Sequence, residues 1–273
     1  MGPMARTFWK MHGCGNDFIL LPDGNAFAGE DGVFFAALCD RRRGIGADGV
    51  LAILPAARPD CAFRMQYRNA DGGEAAMCGN GARCAAFAAF ALGVAPRAMA
   101  FETAAGVHEA EILSREGNLA QVRVGFPSPG PVEQVLLPLA NGTACTVFAV
   151  DTGVPHAVLF LDSPEAVRSC DAVSLGREIR SASAFAPAGT NADFAALSSK
   201  NVFTARTYER GVEDETLACG TGAVAIAAAA VAAGLAEAAE PVSVEMPGGT
   251  LAVRLVPSTT LEGPACKVFE GTL

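Results

Sequence analysis

Basic charge is scarce in this chain of 273 residues. Lysine and arginine together number 20 against 29 acidic residues, a net charge of −9. Such a balance disfavours nucleic acid and anionic membrane surfaces as partners. No Cys-x-x-Cys pair occurs among the nine cysteines, so neither a zinc site nor a disulfide framework is expected. The start of the chain has no positively charged stretch followed by an apolar one, so a secretory signal is not expected either. Nor is there a long unbroken apolar run. The most apolar stretch, around 223–239, is dominated by alanine and interrupted by Gly234, too short to read as a membrane span. A cytoplasmic protein with reduced thiols is the expectation. Lysine occurs only at Lys10, Lys200 and Lys267, none in a loop suited to a pyridoxal-phosphate Schiff base.

What the chain does have is a stretch written twice. Residues 74–84 read EAAMCGNGARC and residues 215–225 read ETLACGTGAVA. Tyr67 and Tyr208 each stand eleven residues before the motif cysteine, and Gly93 and Gly234 each stand fifteen after it. Two homologous halves, facing each other, are the natural reading of such self-similarity. After each cysteine comes an alanine-rich run with no polar face, closed by a glycine. This pattern predicts a buried helix ending at a C-cap glycine. Each half is therefore expected to curl a β-sheet around one apolar helix, with Cys-Gly-X-Gly at the N-terminus of that helix. Backbone N–H groups and the helix dipole make that end a place for a carboxylate, and they favour thiolate over thiol. Cys78 and Cys219 could then stand on either side of one α-carbon, one removing a proton and the other supplying one. That is the arrangement of a two-base racemase or epimerase. The other seven cysteines read as small core residues, with Cys14, flanked by two glycines, the least secure of them.

Taken in order, residues 8–21 read as strand, turn and strand, with Asn16 at the edge of the turn. Residues 31–39 suggest a short amphipathic helix, and Arg41, Arg42 and Arg43 a solvated surface. GIGADG at 44–49 precedes a strand rather than a helix, which rejects a dinucleotide-binding loop. Strands follow at 61–69, ending at Asn69, and at 98–103, 107–113 and 119–125. The Pro/Gly-rich GFPSPGPVE at 125–133 marks the boundary between halves. The second half repeats the order. His156 falls opposite Asn16, GTNADFAAL with Asn191 lies opposite GIGADGVLA, and Glu209 and Arg210 leave the strand that precedes Cys219. PEAVRS and SLGREIRSA look helical, and SVEMPGGTLAVRL looks like a hairpin. Domains of 1–125, joined by the terminal strand 265–273, and of 126–264 are the expectation. His108 alternates within a strand and reads as structural, whereas His156 is placed to tune a thiol.

MHGCGNDF, RNADGGEAAMCGNGARC, GTNADF and YERGVEDETLACGTGA, in this order from about residue 7 to 270, resemble the signatures of diaminopimelate epimerase. The resemblance implies an α/β (α+β) fold of two pseudo-symmetric domains, each a mixed sheet around a central helix. It implies a cofactor-independent isomerase that interconverts LL- and meso-diaminopimelate in lysine and peptidoglycan precursor synthesis. It implies no metal, a small-molecule amino-acid substrate, and compatibility with a homodimer. Cys78 and Cys219 match the family's catalytic cysteines. Gly79, Asn80, Gly220 and Thr221 match the backbone cradle for the reacting carboxylate. Asn16, Asn69, Asn191, Glu209 and Arg210 match groups that hold the amino groups and the distal carboxylate. His156 and Glu209 match positions that adjust the thiols.

Two departures from the pattern stand out. Gly49 occupies a place where some members carry Gln, and Val154 a place where many carry Asn. A valine cannot hydrogen-bond a distal carboxylate, and a missing partner costs about 1–3 kcal/mol when the other group is buried. A proline- or histidine-type racemase would share the cysteines without needing Asn69, Asn191 and Arg210 together, though the proline type favours CGHG over the CGNG found here. A non-catalytic small-molecule binding protein would not need both cysteines.

Overall fold

The computed structural model describes residues 6–273. Its contacts divide the chain into a first unit, running up to Gly125 and joined by Glu262–Leu273, and a second unit, Phe126–Leu261.

The first unit opens with a hairpin of β1 (Thr7–Gly13) and β2 (Asn16–Leu21), followed by α1 (Gly32–Cys39) and β3 (Gly49–Leu54). Next come β4 (Phe63–Asn69), the short β5 (Glu74–Ala75), α2 (Gly79–Ala91), β6 (Ala98–Thr103), β7 (Gly106–Glu116) and β8 (Leu119–Gly125). β2 runs parallel to β3 and β4 parallel to β6, while β3–β4, β6–β7 and β7–β8 are antiparallel. The chain's last strand, Thr260–Thr272, pairs antiparallel with β1 and also with β8. The pairings thus close on themselves and leave no free edge in the ring. Inside lies α2, with every residue from Asn80 to Ala89 buried. Alanine is what lets the surrounding strands approach that closely: a helix of larger side chains would not fit within the ring. Phe63, Phe87, Phe101, Met11 and Phe18 fill the remaining space.

The second unit repeats this plan. β9 (Glu133–Pro138), β10 (Ala144–Asp151) and β11 (Pro155–Phe160) are joined antiparallel, and β11 runs parallel to β12 (Asn191–Ser199). β12 pairs antiparallel with β13 (Val202–Glu209), which carries β14 (Asp214–Thr216) and runs parallel to β15 (Val242–Met246); β16 (Gly249–Arg254) completes a hairpin. The terminal strand β17 is Thr260–Thr272. α5 (Gly220–Ala232) is the central helix, buried from Gly222 to Ala230. α3 (Pro164–Ser169) and α4 (Ala172–Arg180) lie against β12 and β13. Gly176 of α4 is required there, because a Cβ would stand 2.5 Å from the Tyr208 Cβ.

Both central helices stop as the sequence implies. Gly93 and Gly234 follow the C-caps with φ of +74° and +73°, which glycine adopts without strain. Two expectations, on α1 and on three of the cysteines, need correction. α1 is not amphipathic: GVFFAALC has no polar face, and only Phe35 and Cys39 are buried while Val33 is exposed. Arg41, Arg42 and Arg43 are exposed, and Arg41 in addition ion-pairs with Asp17 and Asp48 at 2.6 and 2.7 Å. Cys145, Cys170 and Cys266 are half-buried rather than core residues. β9, hidden behind the Pro/Gly-rich stretch, carried no alternation strong enough to read. None of the nine cysteines is joined in a disulfide.

Candidate active site

In each unit the motif cysteine is the N-cap of the central helix. Cys78 Sγ accepts the Gly81 N–H at 3.4 Å, and Cys219 Sγ accepts the Gly222 N–H at 3.3 Å. Gly79 and Asn80 open α2, and Gly220 and Thr221 open α5. The positive end of each dipole therefore lies beside a sulfur. The second motif glycine is dictated by space. A Cβ on Gly222 would stand 2.6 Å from Asp193 Oδ1, and one on Gly81 would stand 3.1 Å from Leu51.

Around Cys78 the first unit builds a chain of amides. Arg83, fully buried one turn into α2, donates to Asn80 Oδ1 at 2.6 Å. A guanidinium only donates, so the Asn80 amide nitrogen must face Asn16, which it reaches at 3.2 Å. Asn16 Oδ1 also receives the Cys78 thiol at 3.6 Å, while Asn16 Nδ2 donates to Asp48 at 2.7 Å. Asn16 is thus no local turn cap. Asp48 is in turn bound by Arg41, which also grips Asp17. The Asp17 carboxyl is pushed up by burial but pulled down further by Arg41 and Lys10, to about 2. Arg83 donates to oxygens of Asn80, Gly79 and Pro264 and to the Cys14 sulfur, and burial lowers its pKa. Cys14, at φ +53°, is buried against this guanidinium, and burial raises its pKa. Gly13 leaves the room: a Cβ would lie 3.2 Å from Arg83 Nη2.

The second unit has the same layout with different chemistry. His156 takes the place of Asn16, and Asp193 that of Asp48. Their side chains are wholly buried, with His156 Nδ1 2.7 Å from Asp193 Oδ2. Thr207 donates to the other Asp193 oxygen at 2.7 Å. The histidine tautomer follows from a backbone group. The Arg210 N–H donates to Asn191 Oδ1 at 2.7 Å, so the Asn191 amide nitrogen points at His156 Nε2, 3.2 Å away. Nε2 is therefore the acceptor, and the proton sits on Nδ1, toward Asp193. Thr221 Oγ1 lies 3.0 Å from Nε2 and 3.3 Å from Cys219 Sγ. Burial raises the Cys219 thiol well above its ordinary value, and the charges of Glu209 and Asp193 add to that. Glu209, hydrogen-bonded to Cys219 and Thr216, is itself raised by burial.

Most of the residues singled out from the sequence are gathered in these two clusters. Asn69 is not: it is exposed on the turn after β4, which its backbone closes through Gly72 and Gly73. The Arg210 side chain reaches the Ala188 carbonyl, so it is the Arg210 backbone that meets Asn191. The repeated glutamates Glu74 and Glu215 bind strand arginines, Arg68 and Arg206, rather than the sulfurs. Gly49 admits no side chain, since a Cβ would lie 2.5 Å from the Arg68 carbonyl oxygen. Sequence reasoning missed Asp48, Asp193, Arg41, Arg83 and the side chains of Asn80 and Thr221. A signal for two of them was present: the alignment of GIGADG with GTNADF sets Asp48 opposite Asp193. Among the described residues no cluster of three or more His, Cys, Asp or Glu side chains could hold a metal, and no helix is long and apolar enough to cross a membrane.

The diaminopimelate epimerase family profile matches residues 8–128 and 148–268, both cysteine-bearing halves. The chain belongs to this family. It is 40% identical to the diaminopimelate epimerase of Archaeoglobus fulgidus over 99% of this chain and 97% of that one, and 38% identical to the Aquifex aeolicus enzyme over 97% of each. Its fold is shared more widely than its sequence. A crystal structure of a probable proline racemase from Agrobacterium radiobacter superposes with a TM-score of 0.70 at 16% identity, covering 98% of this chain and 92% of that one. A Bacillus anthracis phenazine biosynthesis protein of the PhzF family gives 0.69 at 14%, covering 98% and 99%. The family's fold is thus present: two repeated, sheet-rich α+β domains with few helices.

Proposed function

We propose that this chain is a cofactor-independent epimerase that interconverts LL- and meso-diaminopimelate in the cytoplasm. The observation that carries the reading is the duplicated cap, a cysteine sulfur on the first turn of a buried helix in each unit. A proton α to a carboxylate is very weakly acidic, so a thiolate alone is too weak a base. The reaction needs stabilisation of the charge that develops on the carboxylate. Gly79, Asn80, Gly220 and Thr221, at the positive helix ends, are the groups proposed to supply it. Cys78 and Cys219 are the proposed acid–base pair, acting on opposite faces of one α-carbon, and neither a metal nor a cofactor takes part.

Asn16, Asn69, Asn191, Glu209 and Arg210 are the proposed contacts to the amino groups and the distal carboxylate, with Val154 contributing none. His156 and Glu209 adjust the thiols. Family membership and full-length identity to curated diaminopimelate epimerases support this substrate. The test is α-proton exchange in heavy water, followed by NMR with reduced protein and diaminopimelate, proline or histidine. Exchange with diaminopimelate alone is expected. Exchange with proline or histidine alone would keep the two-cysteine chemistry and move the substrate. No exchange with any of the three would overturn the reading.

A further inference from the structure

Arg83 is fully buried in the first turns of α2, and among the described residues its guanidinium hydrogen-bonds no carboxylate. It donates to Asn80 Oδ1 at 2.6 Å, to the Gly79 and Pro264 carbonyls at 3.3 Å each, and to the Cys14 sulfur at 3.8 Å. The ionisable neighbours that act on it are thiols, those of Cys14, Cys84 and Cys78, and burial outweighs them. A guanidinium keeps its proton even so, and a buried cation without a counter-charge is costly. Packing does not require it. In the second unit the same place, five residues after the motif cysteine, holds Val224, which is also fully buried. An isopropyl group fills the space there, so the cation in the first unit needs a reason other than volume.

The groups it grips supply one. The Gly79 carbonyl and the Asn80 N–H belong to a single peptide unit. A cation drawing electron density towards that carbonyl oxygen makes the N–H at the other end a stronger donor. The bond to Asn80 Oδ1 holds the same residue from its side chain and turns the amide nitrogen to Asn16. The Pro264 carbonyl, on the terminal strand, and the tight Gly13 turn keep the guanidinium from swinging away.

We propose, resting on the epimerase reading, that Arg83 is a positioning residue for the carboxylate cradle of the first unit. Through the Gly79–Asn80 peptide it strengthens the N–H groups that receive the reacting carboxylate, and its buried charge offsets the negative charge that collects there as the α-proton leaves. No bond to Arg83 forms or breaks, and it transfers no proton. The bound carboxylate already carries one charge and gains more in the transition state. The interaction therefore grows during the reaction and acts on kcat more than on KM. Behind Gly220 and Thr221 the second unit has Val224 and no such cation. Because Arg83 also acts on the Cys78 thiol, the test must read the peptide itself as well as turnover.

The experiment uses the reduced, full-length protein with three substitutions. Arg83→Met removes charge and donors, Arg83→Gln keeps a donor without charge, and Arg83→Lys keeps the charge. Epimerisation of diaminopimelate gives kcat and KM, and amide NMR of the free protein gives the Asn80 and Thr221 N–H shifts. The two neutral variants are expected to lower kcat about tenfold, less than the loss of a donor that touches the oxyanion, with KM moving less than about threefold. Arg83→Lys is expected to recover most of the loss. The Asn80 amide proton is expected to move upfield in the neutral variants, with Thr221 unmoved. Melting curves establish folding, and if Arg83→Met does not fold, the Gln and Lys variants carry the comparison. Wild-type kcat in a folded neutral variant, an equal loss in Arg83→Lys, or a loss confined to KM overturns the proposal. Should the wild type turn over no diaminopimelate, an Asn80 shift that follows the charge of residue 83 supports the cradle while sinking the epimerase reading; an unmoved shift overturns both.

Discussion

Cys78 and Cys219 illustrate how far a residue's meaning depends on its neighbours. Both are N-caps, yet one faces an asparagine and the other a threonine–histidine–aspartate chain. Replacing either by alanine is expected to abolish epimerisation, and appreciable turnover by Cys78→Ala or Cys219→Ala in an isomer-resolving assay would contradict the two-base scheme. The motif glycines should respond unequally to alanine. Alanine gains about 1 kcal/mol of helix propensity over glycine, whereas overpacking costs about 1–3 kcal/mol. Gly81→Ala meets only the end of Leu51 at 3.1 Å and should be close to neutral. Gly222→Ala presses on Asp193 at 2.6 Å, with Cys219 and Thr207 at 3.2 Å, and should be destabilising in urea titrations. Glu209 offers a pH test. Burial raises its folded pKa, so the native state favours the protonated form, and the associated stability is lost as pH rises through that raised value. The melting temperature of Glu209→Gln relative to wild type should therefore climb as pH rises from about 4, near the unfolded carboxyl value, towards neutrality. A constant difference would refute the assignment.

Among the elements, the hairpin of β1 and β2 with the segment before β3 makes the clearest case. Lys10, Asp17, Arg41 and Asp48 form one ion cluster that holds the Asn16 turn. Asp17 is lowered from 3.8 to about 2, so the stability it contributes is present above about 4 and disappears as pH falls through about 2. Arg41→Ala should therefore melt below wild type at neutral pH, and the gap should close on acidification over that window. Half-exposure of Arg41 keeps the expected difference modest. The sequence could not single out this arginine from Arg42 and Arg43, because three adjacent charges look alike until the fold brings Asp17 and Asp48 to one of them. The central helices were legible for the opposite reason. Their alanine-rich, all-apolar composition and closing glycines are local signals that no tertiary contact reverses.

At the scale of the whole molecule, the last strand is the element whose loss should matter most. Cys266–Thr272 pairs with β1 from His12 to Thr7, so it belongs to the unit that the first residues begin. Removing residues 265–273 would leave β1 with an unpaired edge and open the ring around α2. Loss of amide protection along β1 in hydrogen exchange is expected, with the second unit unchanged; retained protection would show that the ring does not depend on this strand.

The sequence by itself determined the duplication, the two buried helices, the sulfur at the start of each and the family. All of these rest on periodicity, composition and short motifs, which are local properties of the chain. Only the tertiary structure decided what each sulfur touches. Asp48 reaches Asn16 on β2, Asp193 on β12 reaches His156 on β11, Arg41 grips Asp17, and the Thr221 hydroxyl of α5 meets His156; these partners are distant along the chain, and hydrogen bonds join residues by distance in space. The motif thus made the halves look equivalent, while the contacts that folding creates set an amide beside one thiol and a histidine within reach of the other.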